Sequence, residues 1–174
     1  MAKYSVDQTH SEIGFELKHM MVSKVKGTFD SYSAEVEAED LTDLTTASIS
    51  FKIDVASINT RNEDRDNHLK SQDFFDVEKY PTVDFTSTSI TKDGDDYKVT
   101  GDLTIIGETK PVTFDVEFGG KGTDPWGGEV YGFEATGKFN REDFGLTWNA
   151  PLETGGVLVG KDVKIKVELE LNPA

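Results

Sequence analysis

The chain has 174 residues, enough for one domain of ordinary size and short for two. It contains no cysteine, which excludes disulfides, thiolate metal sites and a cysteine nucleophile. Its 18 Lys+Arg against 33 Asp+Glu leave a net charge of −15. That excess repels phosphate backbones, so no nucleic-acid partner is expected, and peripheral adhesion to anionic lipid is disfavoured for the same reason.

A hydrophobic content of 36% that includes eleven Phe argues for a folded core rather than disorder. The first fifteen residues, MAKYSVDQTHSEIGF, hold no apolar signal core and no small-residue cleavage site. No stretch approaches the ~20 apolar residues of a membrane span, so the expected location is the cytoplasm.

The hydrophobic period is two almost throughout. Ile13, Phe15 and Leu17 alternate with Glu12, Gly14, Glu16 and Lys18; the next run passes Val25 and Phe29 and becomes small and acidic over 34–39. Ile49, Phe51, Ile53 and Val55 follow, and then Val83 and Phe85. Further runs are Val99, Gly101, Leu103 and Ile105; Val112, Phe114, Val116 and Phe118; and Tyr131, Phe133, Ala135, Gly137 and Phe139. Val163, Ile165, Val167, Leu169 and Leu171 close the chain. Strict alternation marks strands with one apolar and one solvated face, and eight or more of them in so short a chain predict an antiparallel sandwich or barrel. Asp93-Gly94 and the stretch from Ile106 to Pro111 read as hairpin turns, whereas residues 119–128 read as a longer glycine-rich loop with no phosphate-binding signature.

Residues 56–81 break the period and hold the one expected helix. Thr60 and Glu63 form a capping-box pair that starts it near Arg61. Its residues are mostly charged, with Leu69 the main apolar one, so it suits a cap on a barrel end rather than a core helix. Phe74 and Phe75 follow it. No linker or internal repeat interrupts the sequence, and residues 1–174 are expected to form a single domain.

The inward parity carries Phe15, Phe29, Phe51, Phe85, Phe114, Phe118, Phe133 and Phe139, with Gly101 and Gly137 among them. Such a set fits either a solid core or an apolar cavity with aromatic walls, since a barrel of about eight strands can be filled by its own side chains or hold one small ligand. Chemistry-bearing residues are sparse. His10, His19 and His68 show no metal-ligand spacing, and acid pairs such as Asp73 with Asp76 or Glu142 with Asp143 carry little information in so acidic a chain. No serine-nucleophile elbow occurs. Arg61 and Arg65, four apart, would share a helix face with Asp66 and His68 at its edge. Two readings fit them: a guanidinium pair that holds a polar head group, or a solvated helix with ion pairs to Asp64 and Asp66.

Several separate stretches, in order, resemble the YceI-like (polyisoprenoid-binding) family. They are residues 7–19, DQTHSEIGFELKH; 23–29, SKVKGTF; 57–85, with Arg65-Asp66-Asn67-His68-Leu69 and Asp73-Phe74-Phe75-Asp76; 101–107, GDLTIIG; and 140–146, NREDFGL. The resemblance implies an all-β fold, an extended antiparallel lipocalin-like barrel of about eight strands with one short helix capping an end. It implies a non-enzymatic carrier whose interior holds a long isoprenoid or similar apolar lipid of quinone or polyprenyl type, with no cofactor beyond that ligand and no metal. Carried over by position, Phe15, Phe29, Phe51, Phe85, Phe114, Phe133 and Phe139 become wall candidates, and Phe74 and Phe75 become mouth candidates. Phe144 and Trp148 fall in a segment that would close the mouth. Arg65, Asp66 and His68 become head-group contacts, or else residues that lock the helix to the barrel. The alternative is an enzyme acting on a lipid head group through His68 with Asp66 or Asp73. Many family members carry a secretory leader, and none is read here. The acidic outer faces leave a homodimer open.

Overall fold

The computed structural model describes residues 1–20, 22–149 and 159–174. Eleven strands form one continuous sheet: β1 (Ala2–Val6), β2 (Glu12–His19), β3 (Ser23–Phe29), β4 (Tyr32–Ala38), β5 (Ser48–Asp54), β6 (Ile58–Asn59), β7 (Thr82–Asp93), β8 (Asp96–Ile105), β9 (Glu108–Thr123), β10 (Glu129–Asn140) and β11 (Asp162–Pro173). The helix α1 spans Glu63–Lys70. Every pairing is antiparallel, and pairing of β1 with β11 closes an eight-stranded ring, β1-β4-β5-β7-β8-β9-β10-β11.

The N-terminal segment forms two strands, of which the alternation marks only the second. Asp7 accepts a hydrogen bond from the Thr9 amide and starts a 3₁₀ turn over Gln8–His10. Both strands then pair with β11, β1 through Val6 opposite Leu171 and β2 through Phe15 opposite Ile165. Beyond β2, the strands β3 and β6 extend the sheet. Strand direction sorts the connections between two ends. The β2–β3 turn, α1, the β8–β9 turn and residues 141–149 share one end; residues 39–47, the β7–β8 turn and the β9–β10 turn share the other.

The turns follow their residue types, with two departures. Ile106 (φ 44°) and Gly107 (φ 78°) both take positive φ, as a two-residue hairpin of the primed type requires. Pro111 sits opposite Asp102 on β8, but β10 pairs with β9 only from Phe114 onward, so no ladder bond on that side needs its missing N–H. Half of the expected long loop 119–128 is strand: β9 runs to Thr123, past a bulge at Gly119, and 124–128 turn. The Asp124 carboxylate accepts the Trp126 and Gly128 amides and tightens that turn.

The helix start also differs. Asn62, not Thr60, caps α1, its side chain accepting from the Arg65 amide. Arg61 lies outside the helix at φ 62°, so it shares no helix face with Arg65. Thr60 is buried, and its hydroxyl and amide both donate to Asp66 Oδ1. That hydroxyl also accepts from Arg65 Nε at 2.8 Å, and the Thr60 carbonyl accepts from Arg65 Nη2. A buried threonine with all its polar groups satisfied pins an otherwise solvated helix to the end of β6. None of the α-helical residues is fully buried, and among the described residues no helix is long and apolar enough to cross a membrane.

Candidate functional site

The inward faces do not fill the barrel. They enclose a cavity of about 570 Å³, within the ~300–1,000 Å³ common for small-molecule sites. Along β11 its lining runs through every second residue from Val163 to Leu171. At ~3.3 Å per residue this is roughly 26 Å of strand, or about 20 Å along a barrel axis to which strands incline by ~40°. Ile13, Ile49, Ile53, Val83, Val99, Leu103 and Val116 complete walls that are almost wholly apolar.

Ten of the expected aromatic residues line this space: Phe15, Phe29, Phe51, Phe74, Phe75, Phe85, Phe114, Phe133, Phe139 and Trp148. Two placements differ from expectation. Phe144, 1% exposed, lies behind the wall and packs edge-on against Phe139 at 5.1 Å. Phe118 is inward by parity but packs on Phe133 (5.1 Å) without reaching the cavity.

Three glycines keep the lumen open. A Cβ on Gly137 would fall 2.6 Å from the Phe114 ring, one on Gly101 2.4 Å from Phe85, and one on Gly27 2.5 Å from Phe15. Gly137 sits directly opposite Phe114 and Gly27 opposite Phe15. Each ring therefore lies over a neighbouring strand where a side chain is missing, flat against the wall instead of across the lumen. Phe85 and Phe114 then meet edge to face at 5.3 Å.

Polar groups gather at one end. Asn62, Asp64, Arg65 and His68 of the α1 region, His19 of β2 and Arg141 all line the cavity there. His68 Nε2 lies 2.8 Å from Asp73 Oδ2, and its ring stands edge-on to Trp148 (4.8 Å) and Phe74 (5.1 Å). Phe75 meets Phe29 at 6.3 Å and Phe29 meets Phe15 at 5.4 Å, so the rim aromatics continue into the wall. Asp66 lies off the cavity, its carboxylate taken up by Thr60. Arg65 makes its hydrogen bonds to Thr60 rather than ion pairs to Asp64 or Asp66, and His68 pairs with Asp73, not Asp66.

Arg141, like His19, Asn62 and Asp64, is a polar lining residue that sequence reasoning did not include in the site. It is 3% exposed and donates to three backbone carbonyls: Nε to Gly160, Nη1 to Leu146 and Nη2 to Val159. Burial pushes its pKa down, opposed by the nearby Glu142 charge. It ties the segment after β10 to the start of β11 and holds Trp148 at the rim. Its sequence signals are its place in the NREDFGL stretch and the preceding Asn140, whose side chain accepts the Glu142 amide and starts the 3₁₀ turn over Arg141–Phe144.

The opposite end is stoppered by Leu44, which lines the cavity beside Val36, with Leu41 fully buried nearby. Asp40 accepts the Thr42 amide and Asp43 the Thr45 amide, which fixes this loop; hydrogen bonding by the Thr42 and Thr45 side chains, and then by these amides, holds both carboxyls below their usual pKa. The Tyr97 hydroxyl donates to the Thr42 carbonyl and ties the loop to β8.

A closed antiparallel barrel with an apolar, one-ended interior and a polar rim defines a lipocalin-like binding fold. A family model described as the YceI-like domain matches residues 4–171, and the chain belongs to that family. UPF0312 proteins of Staphylococcus epidermidis and Staphylococcus aureus are each 46% identical over 173 residues, 99% of this chain and 98% of theirs. Among solved structures, Burkholderia cenocepacia BcnA superposes with a TM-score of 0.81 at 29% identity, covering 95% of this chain and 98% of that one. The Campylobacter jejuni YCEI protein gives 0.77 at 36% identity, covering 100% and 99%. A polyisoprenoid binding domain from Saccharophagus degradans, 15% identical, shares the fold over both full chains with a TM-score of 0.70.

Proposed function

We propose that this protein binds one long apolar lipid, of isoprenoid quinone or polyprenyl type, in the barrel interior and carries it without chemical change. The observation that supports this most directly is the cavity itself, about 570 Å³ of apolar space with its polar residues confined to one end. A guest with a long hydrocarbon tail and a small polar head matches that distribution, and the fold is shared with the polyisoprenoid binding domain from Saccharophagus degradans. At ~25 cal/mol per Å², covering several hundred Å² of tail contributes on the order of 10 kcal/mol before the entropy of association is charged. The ten lining aromatics are the tail contacts in this reading, and His68 and Arg65 are the head-group contacts.

The test is native mass spectrometry of protein purified without detergent, followed by lipid analysis of any released mass. A stoichiometric prenyl compound is expected, and replacing Phe114 or Phe133 by Asp should empty the folded protein. A wild type that is ligand-free and cannot be loaded with prenyl lipids would overturn the reading. Enzymatic use of the rim has less support. His68 spends Nε2 on Asp73 and is flanked by Phe74 and Trp148, and a His68→Ala variant that binds normally but loses turnover would be needed to favour it.

A further inference from the structure

The mouth-side part of the outer face of β10, β11, β2 and β3 reverses the charge of the rest of the molecule. Nearest the cavity mouth, cross-strand rows read Lys18–Lys24, then Lys138–Lys164–Glu16–Lys26, then Thr136–Lys166–Gly14–Thr28. With Asp162 opposite Asn140, this area holds six lysines against two carboxylates, in a chain with 18 basic and 33 acidic residues. The next row toward the floor is Glu134–Glu168–Glu12, so the sign changes abruptly.

Folding does not account for the arrangement. Lys18 faces Lys24 and Lys138 faces Lys164, and like charges directly opposite one another destabilise a sheet. Lys24, Lys138 and Lys166 find carboxylates at 3.3–3.5 Å, but among the described residues none lies within ion-pair distance of Lys18, Lys26 or Lys164. The β2–β3 turn lies at the mouth end of the same strands. There Met20 is 46% and Val22 87% exposed, two of the few large apolar side chains in contact with solvent. Basic residues around an exposed apolar tip are the pairing that seats a protein at a lipid–water interface.

We propose that this face docks on an anionic membrane, with Met20 and Val22 entering the interface and Lys18, Lys26 and Lys164 against the lipid phosphates. The remaining acidic charge does not prevent it, because charges more than about 8 Å from the contact are largely screened at physiological salt. Glu63, Asp64, Asp73 and Asp76 on the α1 side of the mouth make the approach oblique, with the β2–β3 side leading. Docking there puts His19 and the cavity mouth at the bilayer surface, so a tail can pass between bilayer and barrel without crossing water. The transfer step rests on the prenyl-binding reading; the docking does not.

The experiment is flotation of the purified protein with phosphatidylcholine vesicles containing or lacking phosphatidylglycerol, at low and high salt. Binding is expected only with phosphatidylglycerol and is expected to weaken with salt. The triple variant Lys18→Gln, Lys26→Gln, Lys164→Gln should lose about five-fold per lysine, on the order of 100-fold in all. It should fold and keep its cavity contents, since none of the three lines the lumen. A Val22→Asp variant should also lose binding. No preference for the anionic vesicles, salt-sensitive self-association in place of vesicle binding, or unchanged binding by a folded triple variant would each overturn the proposal. A ligand-free protein that cannot be loaded with prenyl lipids but still floats with anionic vesicles would instead refute the carrier reading alone.

Discussion

Replacing Gly137 by Ala should close the lumen while leaving the barrel intact. The three atoms nearest the new methyl all belong to the Phe114 ring, at 2.6, 2.7 and 3.3 Å, with no backbone atom among them. Carbon–carbon contacts settle at about 3.5–4.0 Å, so the ring must retreat by about 1 Å. Phe85 stands edge-on to it at 5.3 Å, which leaves the cavity as its direction of escape. Overpacking of this kind costs about 1–3 kcal/mol, partly offset by the ~0.5–1 kcal/mol gained when a strand glycine becomes alanine. The folded state therefore survives. A ring pushed into a lumen one chain wide displaces about one prenyl unit, and at ~0.8 kcal/mol for each of about five carbons the loss is about 4 kcal/mol, or roughly a thousand-fold in affinity. Binding can be followed by quenching of Trp148 at the rim on addition of a prenyl quinone, in a Trp126→Phe background that removes the 89% exposed Trp126. The double variant Gly137→Ala, Phe114→Ala should regain part of the affinity. Unchanged affinity in a folded Gly137→Ala protein would refute the idea that glycines hold the rings off the lumen. Gly101 is a poorer choice, because its methyl would also lie 2.5 Å from the Thr86 carbonyl oxygen and strain the backbone.

Two further outcomes follow from groups outside the wall. Arg141→Met should destabilise the protein by about 3 kcal/mol in urea unfolding, because three backbone carbonyls lose their donor together. Titration of the pair at the first turn should give two opposite limbs. Hydrogen bonds from Thr9 and His10 lower Asp7 to about 2, and its stabilisation is present above about pH 4 and lost as pH falls toward 2. Hydrogen bonding and charge from Asp7, with added charge from Glu170, raise His10, and its contribution is present below its ordinary pKa near 6.5 and lost as pH rises through the higher folded value. Between about pH 4 and 6.5 both act. An Asp7→Asn variant should flatten the acid limb and return His10 toward its ordinary value, which a histidine proton titration by NMR checks directly.

The alternation of apolar residues located every long strand and the correct parity of Gly101 and Gly137, because one buried and one solvated face leave a period-two mark. It did not decide whether the interior was empty, since that depends on ring orientation over a neighbouring strand rather than on residue type. The helix existed where the charge pattern placed it, but Thr60 was assigned to capping when its burial turns it into the anchor for Arg65 and Asp66. Asn62, two positions on, carries the same capping chemistry, and sequence spacing alone does not choose between them. Leu44 and Arg141 were illegible for a different reason. Each sits in an irregular segment whose path is set by side chain–backbone bonds, from Asp40 and Asp43 in one case and to Gly160 and Leu146 in the other. Net charge hid the lysine rows for the simplest reason: a sum over the chain says nothing about where the signs lie.

The stopper at Leu44 turns the interior into a gauge. A guest that threads tail first has one available orientation, and the roughly 20 Å of lined depth along β11 sets how much of the tail is covered. Tails shorter than that depth leave uncovered wall, and longer ones leave surplus hydrocarbon at the rim among His68, Phe74 and Trp148. If the cargo is a prenyl lipid as proposed, its length is measured from the floor by a leucine whose loop two aspartates fix, with the head group left at the entrance.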